Sequence, residues 1–400
     1  MHCTVALFGL PIANLTMDET VSRIEGWIGS GQTYQVATAN LDFVRNAMLD
    51  KQLHQVICEC SMVLPDGAPL VWASRLIGKP LRERVTGVDL VPRLAEMSAR
   101  RGFSIYFLGS DERNSMRAQE VLQRAYPGLR IAGWHSPEVL PLEEMDNEDI
   151  LRRIRQAAPD ILLVAFGNPK QELWIHANRA RLDGTVAIGI GGSLEIIAGS
   201  VKRAPRWAQS MSLEWAFRMG QEPMRLLPRY CMDALALARL LPVSLAVSKL
   251  QPRKRKPGSL IVRELPGARF LTAPADVQGS LCAVIMQEAV MASRQRQILV
   301  VDFSATRRVE ADALGALLVA RRTLSEAGQR LCLVGMNSTI RRVIQFSELG
   351  HLLPAAGPEV MSCTSAGLEE ASAAAPALVA ERPVTATSSE SIHAQTAVNA

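Results

Sequence analysis

Cysteine is sparse and unpaired in this chain: seven residues in 400, at positions 3, 58, 60, 231, 282, 332 and 363. An odd, scattered set excludes a disulfide-stapled scaffold, and the N-terminus lacks the basic start and small-residue cleavage site of a secretory signal, so a reducing cytosol is expected. Cys58-Glu59-Cys60 is the one close pair; without a second pair or a nearby His it is poor zinc spacing, and buried thiols are the expectation. Long apolar runs are also missing. The longest, Ala234 to Val247, contains Arg239 and Pro242 and falls short of the ~20 residues that span a bilayer, so no transmembrane helix is predicted. There is no Asp-x-Asp for a metal-bound nucleotide sugar and no Ser/His/Asp pattern, and the six histidines are spread singly. Neither a metal nor a cofactor is implied. An excess of one charge is nearly absent too: 44 basic against 39 acidic residues give +5, too weak a bias for wholesale nucleic-acid binding. From Met224 to Lys256 there are eight basic residues and one acidic, a local +7, which leaves −2 for the remainder.

What is present is an ordinary soluble composition, 48% hydrophobic and 21% charged, in a chain long enough for two or three domains. The first 200 residues alternate short apolar runs with helical patterns, the signature of a Rossmann-like, mostly parallel α/β sheet. Thr16-Met17-Asp18-Glu19 reads as a capping box, and strands are predicted at Tyr34 to Ala37, Met62 to Leu64, Ser104 to Leu108, Leu129 to Ala132, Asp160 to Phe166 and Thr185 to Ile190. Each is followed by a polar or glycine-rich turn. In an open α/β sheet ligands sit outside the carboxyl ends of the strands, so these turns define one crevice.

Several residues in those turns carry chemistry. Asp66, in Leu64-Pro65-Asp66-Gly67, is either a positioned carboxylate that takes a proton from a substrate hydroxyl or a turn and helix-cap Asp. Thr38 and Asn40 have the same two readings, capping the helix that starts near Leu41 or meeting a ligand hydroxyl. In Gly167-Asn168-Pro169-Lys170-Gln171-Glu172 the Gly admits a ligand to the backbone and the Pro pre-sets a first helical turn, so Lys170 and Gln171 are expected to face the crevice. Gly189-x-Gly191-Gly192 is half a dinucleotide fingerprint, lacking the third glycine. Between Lys202 and Tyr230, Arg203, Arg206, Arg218, Arg225 and Arg229 are interleaved with Trp207, Trp215 and Tyr230. That segment is either a helix with a solvated basic face or a diphosphate clamp that also meets an anionic membrane surface.

Together these motifs resemble the WecG/TagA/CpsF glycosyltransferases, glycosyltransferase family 26, from about Leu7 to Tyr230. The resemblance is carried by Gly9-Leu10-Pro11-Ile12, Thr38-Ala39-Asn40, Pro65-Asp66-Gly67, Glu83-Arg84-Val85-Thr86-Gly87-Val88-Asp89-Leu90, Phe107-Leu108-Gly109, Gly167 to Glu172, Ile190-Gly191-Gly192, and Leu213-Glu214-Trp215 through Arg218 to Glu222-Pro223. It implies a Rossmann-like enzyme that moves a sugar from a UDP-sugar to a polyprenyl-diphosphate-linked saccharide, with inversion and without a metal. Asp66 would be the general base, and Thr38, Asn40, Arg84, Lys170, Gln171, Gly191 and Gly192 would line the sugar and diphosphate site. Arg218, Arg225 and Arg229 would neutralise the leaving diphosphate from a C-terminal appendage that meets the membrane. Two departures stand out: Glu195 replaces the usual Asp after the Gly-Gly pair, where a nucleotide contact is expected, and Ser212 replaces a usual Gly. Trp134-His135-Ser136-Pro137-Glu138 is similar to the exopolysaccharide-type members.

Arg253 to Ser259 is a charged breaker cluster that reads as a linker. A second α/β unit, about Gly258 to Pro354, resembles a STAS domain through Ile298 to Phe303, Ala313 to Leu318 and Leu331 to Gly335. Ala311 stands at that family's phosphorylatable serine, which argues against a kinase switch; Asp312 either mimics the charged state or caps its helix. The expected organisation is a transferase domain with basic appendage over 1–245, a linker over 246–259, the STAS-like unit over 260–354 and a disordered tail over 355–400. An exopolysaccharide or other surface-glycan transferase at the cytoplasmic face of the membrane is expected, with a possible protein partner for the STAS-like unit. A dehydrogenase is the rival enzyme, but the first strand ends in Thr38-Ala39-Asn40 and not in G-x-G-x-x-G. The rival of another class is a regulatory protein with a vestigial sugar site.

Overall fold

At the start of the first helix, Glu19 N donates to Thr16 Oγ1 at 3.3 Å and Thr16 N to the Glu19 carboxylate at 2.9 Å, the capping box read from the sequence. The structure is a computed structural model that describes residues 4–211, 213–250, 258–265, 267–355 and 382–384. Its contacts divide the chain into Ala13–Arg239 and a second unit made of Met1–Ile12 with Leu240–Ala400.

The elements of the first unit, taken in order with the N-terminal pair β1 (Thr4–Leu7) and β2 (Leu10–Ala13), begin with α1 (Met17–Trp27), β3 (Tyr34–Ala39), α2 (Leu41–Leu49), α3 (Lys51–Glu59), β4 (Met62–Pro65), α4 (Ala68–Leu76) and α5 (Gly87–Arg101). There follow β5 (Ser104–Gly109), α6 (Glu112–Ala125), β6 (Arg130–His135), α7 (Asn147–Ala157), β7 (Ile161–Ala165), α8 (Lys170–Asn178), β8 (Val186–Gly189) and α9 (Ser193–Ile197). The appendage is α10 (Arg206–Ser210), α11 (Glu214–Gln221) and the start of α12 (Pro223–Leu250).

The strands lie in the order β4-β3-β8-β7-β5-β6, every pair parallel. Such a sheet needs helices on both faces, and alternate residues supply both cores. Phe107, Leu163 and Ile188 point to one side, among residues of α1, α5 and α6. Leu108, Leu162, Val164 and Ala187 point to the other, against α7 and Trp174 of α8. Each fully buried large side chain contributes about 1.5–3 kcal/mol, and truncating Phe107 to Ala would cost about 3–5 kcal/mol. Cys58 and Cys60 are buried thiols, as expected. The parallel order brings the ends of β3, β4, β5, β7 and β8 to one edge, where the candidate residues stand.

Helix α12 differs from the sequence reading. The apolar stretch was read as Ala234 to Val247, interrupted by Arg239 and Pro242, yet one 28-residue helix runs through Pro242 and through Pro228 before it. Its stretch Leu226–Val247, 22 residues of mean hydropathy 1.5, is long and apolar enough to cross a membrane by length and composition. Both proline rings are exposed, so the lost backbone bonds face outward, and the surrounding Leu and Ala favour helix. Asp233, in the middle of that stretch, pairs with Arg45 of α2 at 2.7 Å.

In the second unit a hairpin of β9 (Leu260–Leu265) and β10 (Ala268–Thr272) leads through β11 (Asp276–Val277), α13 (Cys282–Arg294), β12 (Ile298–Asp302), β13 (Arg308–Val309), α14 (Ala311–Glu326) and β14 (Leu331–Val334) to α15 (Ser338–Phe346). The order is β14-β12-β10-β9-β15, parallel except where β9 meets its neighbours. The last strand is β15 (Arg382–Val384), inside the segment read as a disordered tail; it pairs antiparallel with β9, an edge strand whose backbone groups were open to any extended segment. Strand β1 packs on α14 so closely that a Cβ on Gly315 would lie 2.2 Å from the Thr4 carbonyl oxygen, so only glycine fits there. Asp312 does not cap α14. The N-cap is Glu310, without a side-chain cap bond, and Asp312 Oδ1 accepts from Ala313 N at 3.2 Å inside the first turn.

Candidate active site

Asp66 follows the last residue of β4. Its own amide donates to the Ala39 carbonyl at 2.8 Å, and Val85 N donates to the Pro65 carbonyl at 2.9 Å, so the loop is tied on both sides. Asp66 Oδ2 accepts from Gly87 N, at the first turn of α5, at 3.2 Å. The carboxylate keeps part of its surface open but lies low in the protein, and that burial pushes its pKa up to about 7. The Gly87 amide, Arg84 and Arg218 pull it down and Glu214 pushes it further up. A carboxylate poised near neutrality holds and releases a proton in the working range of a general base.

Arg84 is bound to Glu214 Oε2 at 3.2 Å, and Arg203 Nε faces the other oxygen at 3.5 Å. Arg203 continues to Asp89 Oδ1 at 2.7 Å, and Asp89 Oδ2 accepts from the hydroxyl of Thr86, the N-cap of α5, also at 2.7 Å. Glu214 and Asp89 stand in quoted motifs but were not singled out as site residues from the sequence, and Arg203 was read only as one arginine of the basic segment that could clamp a diphosphate; no local spacing pairs them. Arg218 faces Asp66 electrostatically and stands near the second glycine turn: a Cβ on Gly192 would be 4.0 Å from Arg218 Nη2 and 3.3 Å from Glu195 Oε2. Glu195 Oε1 accepts from Ser110 Oγ at 2.9 Å, while Oε2 is buried without a hydrogen bond. Ser110, at the end of β5 with φ +58°, is a further residue that sequence reasoning missed.

The remaining expected residues serve the scaffold. Thr38 is buried, and its hydroxyl donates to the Gly189 carbonyl at 2.9 Å, lacing β3 to β8. Asn40 caps α2, accepting from Phe43 N at 3.2 Å, and lies against Gly67 beside Asp66. Lys170 and Gln171 do not face the crevice as expected. The Lys170 ammonium donates to the Leu140 carbonyl and sits 5.3 Å from the Phe166 ring centre. Gln171 is 1% exposed; its Oε1 accepts from Gly167 N at 3.2 Å and Gly191 N at 3.0 Å, which binds the two glycine turns together. Its Nε2 donates to Glu172 Oε1 at 2.7 Å, and Asn168 Nδ2 to Glu172 Oε2 at 3.0 Å. Burial pushes the Glu172 pKa up to about 8, against the pull of those two donors, so it is held neutral at pH 7. Arg229 stands on α12 over the Tyr230 ring, with its carbonyl bound by Arg45. The side chains of Arg206 and Arg225, and all of Arg253 to Lys256, lie outside the described residues. Among the described residues no three His, Cys, Asp or Glu side chains group as a metal site.

A carboxylate poised to take a proton, faced by guanidinium groups at the carboxyl edge of a parallel sheet, is the equipment of a transferase with an anionic leaving group. The chain belongs to the WecG/TagA/CpsF family of glycosyl transferases, whose pattern it matches over residues 5–254. It is 34% identical over 190 residues to an N-acetylglucosaminyldiphosphoundecaprenol N-acetyl-beta-D-mannosaminyltransferase of Bacillus spizizenii, an alignment covering 48% of this chain and 72% of the relative. A protein of the same name from Staphylococcus aureus is 29% identical over 254 residues, 63% of this chain and 94% of the relative. The chain is a glycosyltransferase.

Proposed function

We propose that this enzyme transfers a sugar from a UDP-sugar, with inversion and without a metal, to a saccharide carried on a polyprenyl diphosphate. The observation that carries the reading is Asp66, its pKa raised to about 7 beside Arg84 and Arg218. Asp66 takes the proton of the acceptor hydroxyl as that oxygen attacks the anomeric carbon from the face opposite UDP. The bond from that carbon to the diphosphate oxygen breaks in the same step, so the configuration inverts. Arg84 and Arg218, with Arg225 and Arg229 of the appendage, neutralise the departing UDP in place of a divalent ion. Glu195, held by Ser110, meets the nucleotide.

The names of the relatives make N-acetylmannosamine the first donor sugar to test and N-acetylglucosaminyl-diphospholipid the first acceptor. The product serves a cell-surface glycan, with exopolysaccharide as the proposed context. The appendage supports work at the inner face of the membrane: Trp207, Met211, Met224, Leu227 and Leu235 are 50% or more exposed, a set of apolar side chains that a bilayer surface would cover. For the second unit we propose a STAS-like, protein-binding role. The test is UDP release from a panel of UDP-sugars with a short-chain N-acetylglucosaminyl-diphospholipid, in excess EDTA. Release with a single donor sugar supports the reading; release that is lost in EDTA and restored by Mg²⁺ contradicts the metal-independent chemistry, and no release with any donor contradicts the transfer itself.

A further inference from the structure

We infer that Glu214 is a positioning residue for the transfer, a latch that fixes Arg84 beside Asp66 and ties α11 to the start of α5. The inference rests on the proposed reading of Asp66 as the base. One Glu214 oxygen accepts from Arg84 Nη1 at 3.2 Å and the other faces Arg203 Nε at 3.5 Å. Arg203 passes the connection to Asp89 at 2.7 Å, and Asp89 is bonded to Thr86, the residue before the Gly87 amide that donates to Asp66. The contacts therefore form a loop that leaves the base through α5 and returns to it through Arg84.

The proton transfer itself gives no reason for a carboxylate at position 214. Its charge opposes ionisation of Asp66 and occupies an arginine that the diphosphate needs. What it supplies is geometry. The side chains of Glu214 and Arg84 are only 13% and 22% exposed, so their pairing is shielded from solvent more than a surface ion pair. A long arginine held in one orientation before substrate arrives loses no further freedom on binding, which is how positioning raises rate.

The charged and polar groups that face Asp66 are the Gly87 amide from α5, Arg84 from the preceding loop, and Glu214 and Arg218 from α11. Of the charged ones only Glu214 pushes the Asp66 pKa up, so removing its charge must move the ionisation of the base to lower pH. Glu214→Gln keeps the shape and removes the charge. We expect the acid limb of its kcat/KM profile at lower pH than in the wild type, kcat at pH 8 reduced roughly ten- to hundredfold, and faster amide hydrogen exchange over residues 214–221. Arg203→Gln, which loosens the latch without touching Arg84, should speed the same exchange and leave the acid limb where it is. A Glu214→Gln enzyme that lacks any of these three changes overturns the inference. If the wild type transfers no sugar, the reading of Asp66 has failed instead, and the exchange over 214–221 alone decides whether the latch exists.

Discussion

The Gly87 amide reaches Asp66 Oδ2 at 3.2 Å because position 87 has no side chain: a Cβ there would lie 2.7 Å from Ser193 Oγ and 3.2 Å from the Ile190 carbonyl oxygen. The start of α5 is thus pressed between the base and the end of β8, and its N-terminal dipole and this one N–H oppose the burial that raises the Asp66 pKa.

In Gly87→Ala the new Cβ meets Ser193 and Ile190, so the first turn of α5 should shift and break the hydrogen bond from the amide of residue 87 to Asp66. With the amide withdrawn, Asp66 ionises at higher pH, and each unit of displacement removes about tenfold of the ionised base below its pKa. The acid limb of kcat/KM, expected near pH 7 in the wild type from the Asp66 pKa of about 7, should move upward in this variant. A pH–rate profile checks this; an unmoved limb would show that the amide does not tune the base.

Glu172 makes a prediction about stability. Its folded pKa of about 8 exceeds the ordinary carboxylate value of 4.5, so between those values the folded state holds a proton that the unfolded state has released. Stability from this group is complete below pH ~4.5 and is lost as pH rises through 8. Asp66 contributes in the same sense only up to about pH 7. Thermal unfolding should therefore show Tm still falling between pH 7 and 8 in the wild type, and a flatter profile there in Glu172→Gln. At pH 5 the variant should be no more stable than the wild type, because one acceptor for Gln171 or Asn168 is replaced by a donor.

The exposed apolar residues of α12 give a third. Leu227 and Leu235 are 50% and 64% exposed. Burying a leucine contributes about 1.5–3 kcal/mol, so Leu227→Ser with Leu235→Ser should weaken binding to anionic vesicles by about a hundredfold or more. Transfer to a short, soluble acceptor should be little changed. Co-sedimentation at low and high salt separates this apolar contribution from that of the basic residues, which salt screens; binding like the wild type at both would remove the membrane surface from the account.

The sheet was legible because each parallel strand is buried on both faces and reads as a short apolar run, and Asp66 because it stands in the turn after a strand; Arg84, in the loop between α4 and α5, was legible only through a motif of the family resemblance. The latch was not. Arg84 and Glu214 are 130 positions apart and Arg203 and Asp89 are 114 apart, and ion pairs over such spans leave no periodicity. Gln171 was read as a ligand contact because polar side chains after a strand usually face the crevice; here two glycine amides, Gly167 and Gly191, take its oxygen inside the protein. For α12 the apolar stretch was started at Ala234, beyond Asp233, and Arg239 and Pro242 were counted against it, whereas the helix carries the apolar stretch from Leu226 to Val247; an exposed proline removes a backbone bond without disturbing the packed face.

The most direct test of the central claim is the turnover of Asp66→Asn on the lipid-diphosphate acceptor. The substitution keeps the volume and removes the proton acceptor, and a positioned general base supplies about 10²- to 10⁴-fold. Turnover should fall by that factor while the affinity for UDP, measured by titration, stays nearly constant. Turnover equal to the wild type, with UDP bound as before, would contradict the assignment of Asp66 as the base.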